Sequence, residues 1–118
     1  MESAGIESRP WGHYEVLDRA ADHLIKRIVV SPGGRLSLQR HRFRREHWYL
    51  IAGEALVTRG ETEIHLTSGH SIDIPLGVVH RVLNPAKEPL IFIEVQTGSY
   101  LGEDDIERLQ DDYGRSME

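Results

Sequence analysis

The sequence predicts an all-β fold, a barrel or a sandwich, because strand-like segments recur about every 8–12 residues along the chain. In Glu63–Leu66 and Ile72–Ile74 the apolar residues occupy every second position, as a half-buried strand requires. Turn residues such as Pro32-Gly33-Gly34 separate these segments. In chain order, the predicted strands are His13–Leu17, Leu24–Val30, Leu36–His41, His47–Ile51, Ala55–Arg59, Thr62–Leu66, Ser71–Ile74, His80–Leu83 and Leu90–Gln96.

One short helix is predicted near the C-terminus. Ile106, Leu109 and Tyr113 recur at spacings of three and four residues, as on one face of a helix. Acidic residues at 103–105 would lie in the first turn, where carboxylates complement the helix dipole, and Gly114 would end the helix. We therefore expect a helical tail after the last strand.

Length and composition fit one domain over residues 1–118, with a barrel core at about 9–98 and the tail at about 99–118. The net charge of -5 argues against a nucleic-acid-binding protein, and no apolar stretch approaches the roughly 18 residues that a membrane helix needs. Cysteine is absent and the first ten residues lack the apolar centre of a secretory signal, so we expect a cytoplasmic protein.

Two motifs carry the candidate chemistry. They read Gly33-x5-Gln39-x-His41-x4-Glu46-x6-Gly53 and Gly69-x5-Pro75-x-Gly77-x2-His80-x3-Asn84. Gln39 and His41 are two residues apart, so on a strand they share one face. Glu46 would return on the neighbouring strand, and His80 follows a turn that can bring it to the other three. Imidazole, carboxylate and amide ligands suit one divalent ion of Zn, Mn, Co, Ni or Fe, with positions left open for catalysis.

These motifs match the paired signature of the cupins, in which the first motif normally reads G-x5-H-x-H-x4-E-x6-G and here has Gln39 in place of the first histidine. From about Arg9 to Arg115 the chain also resembles type II phosphomannose isomerase domains, which usually form the C-terminal part of bifunctional mannose-1-phosphate guanylyltransferase/isomerases. The segments that carry this resemblance are RPWGHYEVL, KRIVVSPGGRLSLQRH, REHWYLIAGEALVT, IPLGVVHRVLNP and IEVQTGSYLGEDDIERLQDDYGR.

The resemblance implies a single cupin barrel, a double-stranded β-helix or jelly roll. It also implies a metal-dependent aldose–ketose isomerase that interconverts mannose 6-phosphate and fructose 6-phosphate. Such a reaction needs a base near C1 and C2 and an electrophile on the two oxygens. Glu94 is the candidate base because it alternates away from the apolar positions 91, 93 and 95, although an ion-paired structural carboxylate is the alternative.

The basic residues are candidates for holding a phosphorylated hexose. By resemblance, Arg44, Arg108 and Arg115 occupy positions that the family uses, and Arg44 would act beside the base. Arg81 directly follows a predicted ligand and would lie at the barrel rim. Arg108 and Arg115 would be carried by the tail helix, which could close over the barrel mouth.

The resemblance is broken at one place, where the family typically has three consecutive histidines and this chain has His41-Arg42-Phe43. Two alternatives therefore stay open. The chain could be a non-catalytic sugar-phosphate-binding cupin, or a metal-dependent cupin of another class such as an Fe(II) dioxygenase. A homodimer is expected from the frequency of twofold symmetry and from the family's habit.

Overall fold

In the computed structural model, residues 5–114 are described, and they form eleven strands in two antiparallel sheets. The strands are β1 (Ile6–Arg9), β2 (Gly12–Arg19), β3 (His23–Val30), β4 (Leu38–Arg40), β5 (Arg44–Ala52), β6 (Glu54–Arg59), β7 (Thr62–Thr67), β8 (Ser71–Ile74), β9 (His80–Leu83), β10 (Leu90–Gly98) and β11 (Glu107–Gln110). One sheet has the order β1-β2-β3-β10-β5-β8 and the other has the order β11-β4-β9-β6-β7.

The inner face of the larger sheet changes from apolar to polar along its strands. On β5 and β10 every second side chain is buried, as the strand repeat requires. The facing pair Phe92 and Leu50 lies in the apolar core. The facing pair Gln96 and Glu46 lies further along the same two strands and is also buried. The two sheets therefore enclose a packed apolar end and a polar end, and the candidate site lies at the polar end.

The all-β prediction is confirmed. Each of the nine predicted strands corresponds to one of the strands β2 to β10, and two further short strands, β1 and β11, lie outside them. Alternation within a strand is a local signal, and it is sufficient to locate strands that have one buried face.

The predicted C-terminal helix is wrong. Its segment contains β11, which pairs with β4 in the register Glu107 to Arg40 and Arg108 to Gln39. A short isolated helix is costly to nucleate, whereas this segment gains a ladder of hydrogen bonds by covering a free sheet edge. None of the residues that the structure describes forms a helix able to span a membrane.

Candidate metal centre

Three buried side chains from the two motifs meet at the polar end of the barrel. Ligand atoms of His41, Glu46 and His80 all lie within 4.8 Å of one another. Glu46 is on β5, His80 begins β9, and His41 directly follows β4. The backbone amide of Gly77 donates to the His41 carbonyl at 2.8 Å, which ties the two motifs together.

The turn before β9 depends on a glycine. Gly77 has a φ of 75°, in the left-handed region that a side chain disfavours. A residue with a Cβ would be strained here, so the glycine of the second motif helps to fix where His80 enters the site.

Both histidines hold the tautomer that a metal ligand requires. Nδ1 of His41 donates to the Asp105 carbonyl at 2.7 Å, and Nδ1 of His80 donates to the Val78 carbonyl at 2.9 Å. Because a carbonyl only accepts hydrogen bonds, the proton of each neutral ring lies on Nδ1 and the lone pair lies on Nε2. These Nε2 atoms lie 3.2 Å and 3.9 Å from the carboxylate oxygens of Glu46. The donor set fits a first-row divalent ion.

The charges at the site favour an ionised carboxylate beside a neutral imidazole. Burial alone would raise the pKa of Glu46, but His80, Arg44 and His41 oppose it and hold the pKa at about 2. The indole of Trp48 also donates to this carboxylate at 2.9 Å. Burial lowers the pKa of His41, which favours the neutral ring that binds metal.

Arg44 lies directly against the three candidate ligands. Its Nε donates to Glu46 Oε2 at 2.9 Å, and its Nη2 lies 3.3 Å from Nε2 of His41. The guanidinium therefore uses lone pairs that a metal ion would also use. Its Nη1 is buried and has no hydrogen-bond partner among the described residues.

Gln39 lies beside the trio, opposite His80 in the pairing of β4 with β9. Its amide nitrogen donates to the Ser37 hydroxyl at 2.9 Å. The amide oxygen is consequently the atom that Gln39 can offer to a metal ion, and an amide oxygen is a neutral and weaker ligand than a carboxylate.

A cavity of about 90 Å³ adjoins this cluster and gathers most of the predicted site residues. Those that line it are Gln39, Arg44, Glu46, His80, Arg81, Glu94 and Arg108. His41 lines a neighbouring cleft on the other side of the cluster. Arg108 reaches the cavity from β11 and not from a lid helix, and Arg115 lies outside the described residues.

Glu94 is buried on the inner face of β10, where Gln96 donates to it at 2.5 Å. Burial and the nearby Glu46 raise the pKa of Glu94 to about 8, although Lys26 and Arg44 act in the opposite direction. A carboxyl group with this pKa populates both its protonated and its ionised form near neutral pH.

Sequence reasoning missed Lys26, which also lines the cavity and is 5% exposed. It faces Glu94 across the pairing of β3 with β10, and its Nζ donates to Glu103 at 2.8 Å. The signal was present in the sequence, because Lys26 interrupts the inward-facing series Leu24, Ile28 and Val30. A charged side chain on the inward face of a strand needs polar or charged partners inside the barrel.

Residues 4–111 match the family model described as the mannose-6-phosphate isomerase C-terminal domain. The chain belongs to this family. Members of similar sequence include the xanthan biosynthesis protein XanB of Xanthomonas campestris pv. campestris, 56% identical over 92% of this chain and 23% of XanB. The alginate biosynthesis protein AlgA of Pseudomonas aeruginosa is 54% identical over 93% of this chain and 23% of AlgA. The chain thus spans less than a quarter of the length of these relatives.

Solved structures agree on the fold. A double-stranded β-helix protein of Klebsiella pneumoniae has a TM-score of 0.69 and 27% identity, covering 75% of this chain and 77% of that chain. An RmlC-like cupin of Shewanella frigidimarina has a TM-score of 0.76 and 24% identity, covering 85% of this chain and 86% of that chain. The family member described here is therefore a cupin barrel, as predicted.

Phe43, which stands where the family's triple-histidine run would place a histidine, lies outside the cavity. Its side chain is 45% exposed and packs edge-on against Tyr100 with 6.3 Å between the ring centroids. Phe43 therefore lines the neighbouring cleft and not the cavity.

Proposed function

We propose that this chain binds one divalent metal ion and interconverts mannose 6-phosphate and fructose 6-phosphate. The observation that carries the proposal is that one cavity joins a carboxylate–histidine cluster to a second carboxyl group of raised pKa and to several cations. A metal-dependent isomerase of sugar phosphates uses these three elements, and membership of the family supports the choice of substrate.

His41, Glu46 and His80 would hold the ion, and Gln39 is a further candidate ligand through its amide oxygen. The bound ion would supply Lewis acidity toward the oxygens on C1 and C2 of the substrate, where negative charge develops during isomerisation. Trp48 and Arg44 orient the Glu46 carboxylate, and the two backbone carbonyls orient the imidazoles. This chain's own hydrogen bonds thus preset the geometry of the ligands.

Glu94 would move the proton. As a carboxylate it would take the proton from C2 of open-chain mannose 6-phosphate, which leaves an enediolate. As the acid it would return a proton to C1, while the proton of the C2 hydroxyl passes to the C1 oxygen, which gives fructose 6-phosphate. The pKa of about 8 supports both halves of this exchange, because the group neither loses its proton too readily nor holds it too firmly at neutral pH.

The phosphate group would be held by cations that have unused donors. Nη1 of Arg44 and Nη2 of Arg81 are buried and lack a hydrogen-bond partner among the described residues. Lys26 and Arg108 line the same cavity. Four cationic side chains thus face three carboxyl groups, Glu46, Glu94 and Glu103, and the raised pKa of Glu94 reduces its negative charge. The surplus positive charge favours an anionic substrate.

The position of Phe43 leaves the groups of the proposed reaction in place. Its side chain lines the neighbouring cleft, which His41 also lines, and it is not among the residues that line the cavity. The groups that the proposed reaction requires are all supplied by other residues.

A coupled assay with mannose 6-phosphate tests the proposal on protein stripped with a chelator and reloaded with Zn²⁺, Mn²⁺, Co²⁺, Ni²⁺ or Fe²⁺. We expect turnover with at least one ion and none in the stripped protein. Unphosphorylated mannose serves as the matched control and should react far more slowly. Oxygen uptake with Fe²⁺ and no isomerisation would instead support a dioxygenase.

A further inference from the structure

Asp105 contacts the loop that carries His41 through three separate atoms. Its two carboxylate oxygens accept hydrogen bonds from the backbone amides of Arg42 and Phe43, at 2.8 Å and 2.9 Å. Its backbone carbonyl accepts the hydrogen bond from Nδ1 of His41 at 2.7 Å. One buried residue therefore fixes both the backbone after His41 and the orientation of its ring.

The loop between β10 and β11 is itself anchored on both sides of Asp105. Glu103 pairs with the buried Lys26 at 2.8 Å, and β11 pairs with β4, in the register Glu107 to Arg40. The paired segments are β11 and β4, so Asp105 lies just before one of them and His41 directly after the other. Asp105 is thereby held at a fixed place relative to the imidazole that it contacts.

We propose that Asp105 is a positioning residue for the metal centre, which it serves by keeping His41 in the Nδ1–H tautomer with Nε2 directed at Glu46. The proposal rests on the metal site of the proposed function. The two carboxylate hydrogen bonds are charge-assisted, and such bonds are shorter and stronger than neutral ones. These two bonds hold the backbone carbonyl of Asp105 next to Nδ1 of His41. Since a carbonyl can only accept, Nδ1 must carry the proton, and the lone pair of the neutral ring stays on Nε2.

Two measurements on the full chain test this role. The first is the dissociation constant for Co²⁺, from competition with a chelator, together with the absorption spectrum of the bound ion. The second is the tautomer of His41 in metal-free protein, from the nitrogen shifts of its ring in an NMR spectrum. The variants are Asp105→Ala, which removes both acceptors, and Asp105→Asn, which keeps one. Asp104→Ala is the control, since Asp104 lies on the same loop and its carboxylate accepts from the Tyr100 hydroxyl.

We expect Asp105→Ala to weaken Co²⁺ binding about 10- to 100-fold, the range typical for loss of a group that orients a metal ligand. Asp105→Asn should weaken it less, and Asp104→Ala should leave it unchanged. The wild-type ring should show a proton on Nδ1, and Asp105→Ala should show a mixture of tautomers. If Asp105→Ala does not fold, the same comparison is made with Asp105→Asn.

Wild-type Co²⁺ affinity and a wild-type tautomer in the Asp105 variants would overturn the proposal. A fall in thermal stability without a change in either quantity would also overturn it, because Asp105 would then be a structural brace alone. If the wild-type protein binds no metal, the metal site of the proposed function fails, and the tautomer measurement still decides whether Asp105 orients His41.

Discussion

The guanidinium of Arg44 lies 3.3 Å from Nε2 of His41, so the lone pair that a metal ion would use already has a hydrogen-bond donor. The same guanidinium donates to Glu46. Metal binding at His41 would therefore displace Nη2 of Arg44, whereas the hydrogen bond to Glu46 can persist because a carboxylate oxygen has two lone pairs. The guanidinium would remain in the cavity where the substrate is proposed to bind.

Replacing this arginine should separate metal binding from turnover. Arg44→Met removes the competing donor and a like charge, so Co²⁺ affinity should rise roughly tenfold, or about 1.4 kcal/mol. Turnover of mannose 6-phosphate should fall, because the variant lacks the charge that helps to hold the substrate. Calorimetric titration measures the Co²⁺ affinity, and the coupled assay measures the turnover of mannose 6-phosphate. Weaker metal binding in a folded Arg44→Met variant would show that Arg44 supports the ion and does not compete with it.

The candidate ligands should differ in their importance for metal content. Removing the charged ligand by Glu46→Gln, or an imidazole by His80→Ala, should abolish stoichiometric metal binding. Gln39→Ala should only weaken it, because an amide oxygen is a weaker ligand. Elemental analysis of the purified protein provides the measurement. His65→Ala is the control, since His65 is an exposed histidine that contacts Glu54 away from the site. Equal metal content in all four variants would exclude this cluster as the site.

The substrate phosphate should be recognised through the buried arginines. Arg81→Ala should weaken mannose 6-phosphate binding about 10- to 150-fold, corresponding to about 1.5–3 kcal/mol for a charge-assisted hydrogen bond. Binding of free mannose should change little. Arg59→Ala is the matched control because Arg59 donates to a backbone carbonyl outside the cavity. If both sugars lose affinity equally, Arg81 supports the fold of the site and does not bind the phosphate.

Stability should depend on pH through Glu94. Its pKa is raised from 4.5 to about 8 in the folded state, so folding favours the protonated form. The stability that this group contributes is present below pH 4.5 and is lost as the pH rises through about 8. Glu94→Gln mimics the protonated form, so in urea unfolding its advantage over the metal-free wild type should grow between these two pH values. Glu63→Gln, on an exposed part of β7, should show no such trend. A constant difference across the range would contradict the raised pKa.

The strands and the inward direction of Glu94 could be predicted because alternation is a local property of the chain. The meeting of His80 with His41 and Glu46 is not local, and it could be predicted only because the two motifs together match a known paired signature. A residue two positions from another on a strand shares its face whatever the rest of the fold does.

The errors arose where distant segments decide the structure. The tail became a strand because the edge of β4, more than 60 residues earlier in the chain, pairs with it, whereas the helical spacing of Ile106 and Leu109 is a purely local signal. The contact between Asp105 and His41 likewise joins residues that are 64 positions apart. No periodicity within either segment indicates such a contact.

The central claim is that Glu94 transfers a proton between C1 and C2 of a sugar phosphate at a metal-loaded site. The most direct test is an NMR time course in D₂O with mannose 6-phosphate and metal-reconstituted protein. We expect fructose 6-phosphate with deuterium at C1, and a rate about 100- to 10,000-fold lower for Glu94→Gln with substrate binding retained. If the metal-loaded wild type forms no fructose 6-phosphate and exchanges no proton, or if Glu94→Gln reacts at the wild-type rate, the account is contradicted.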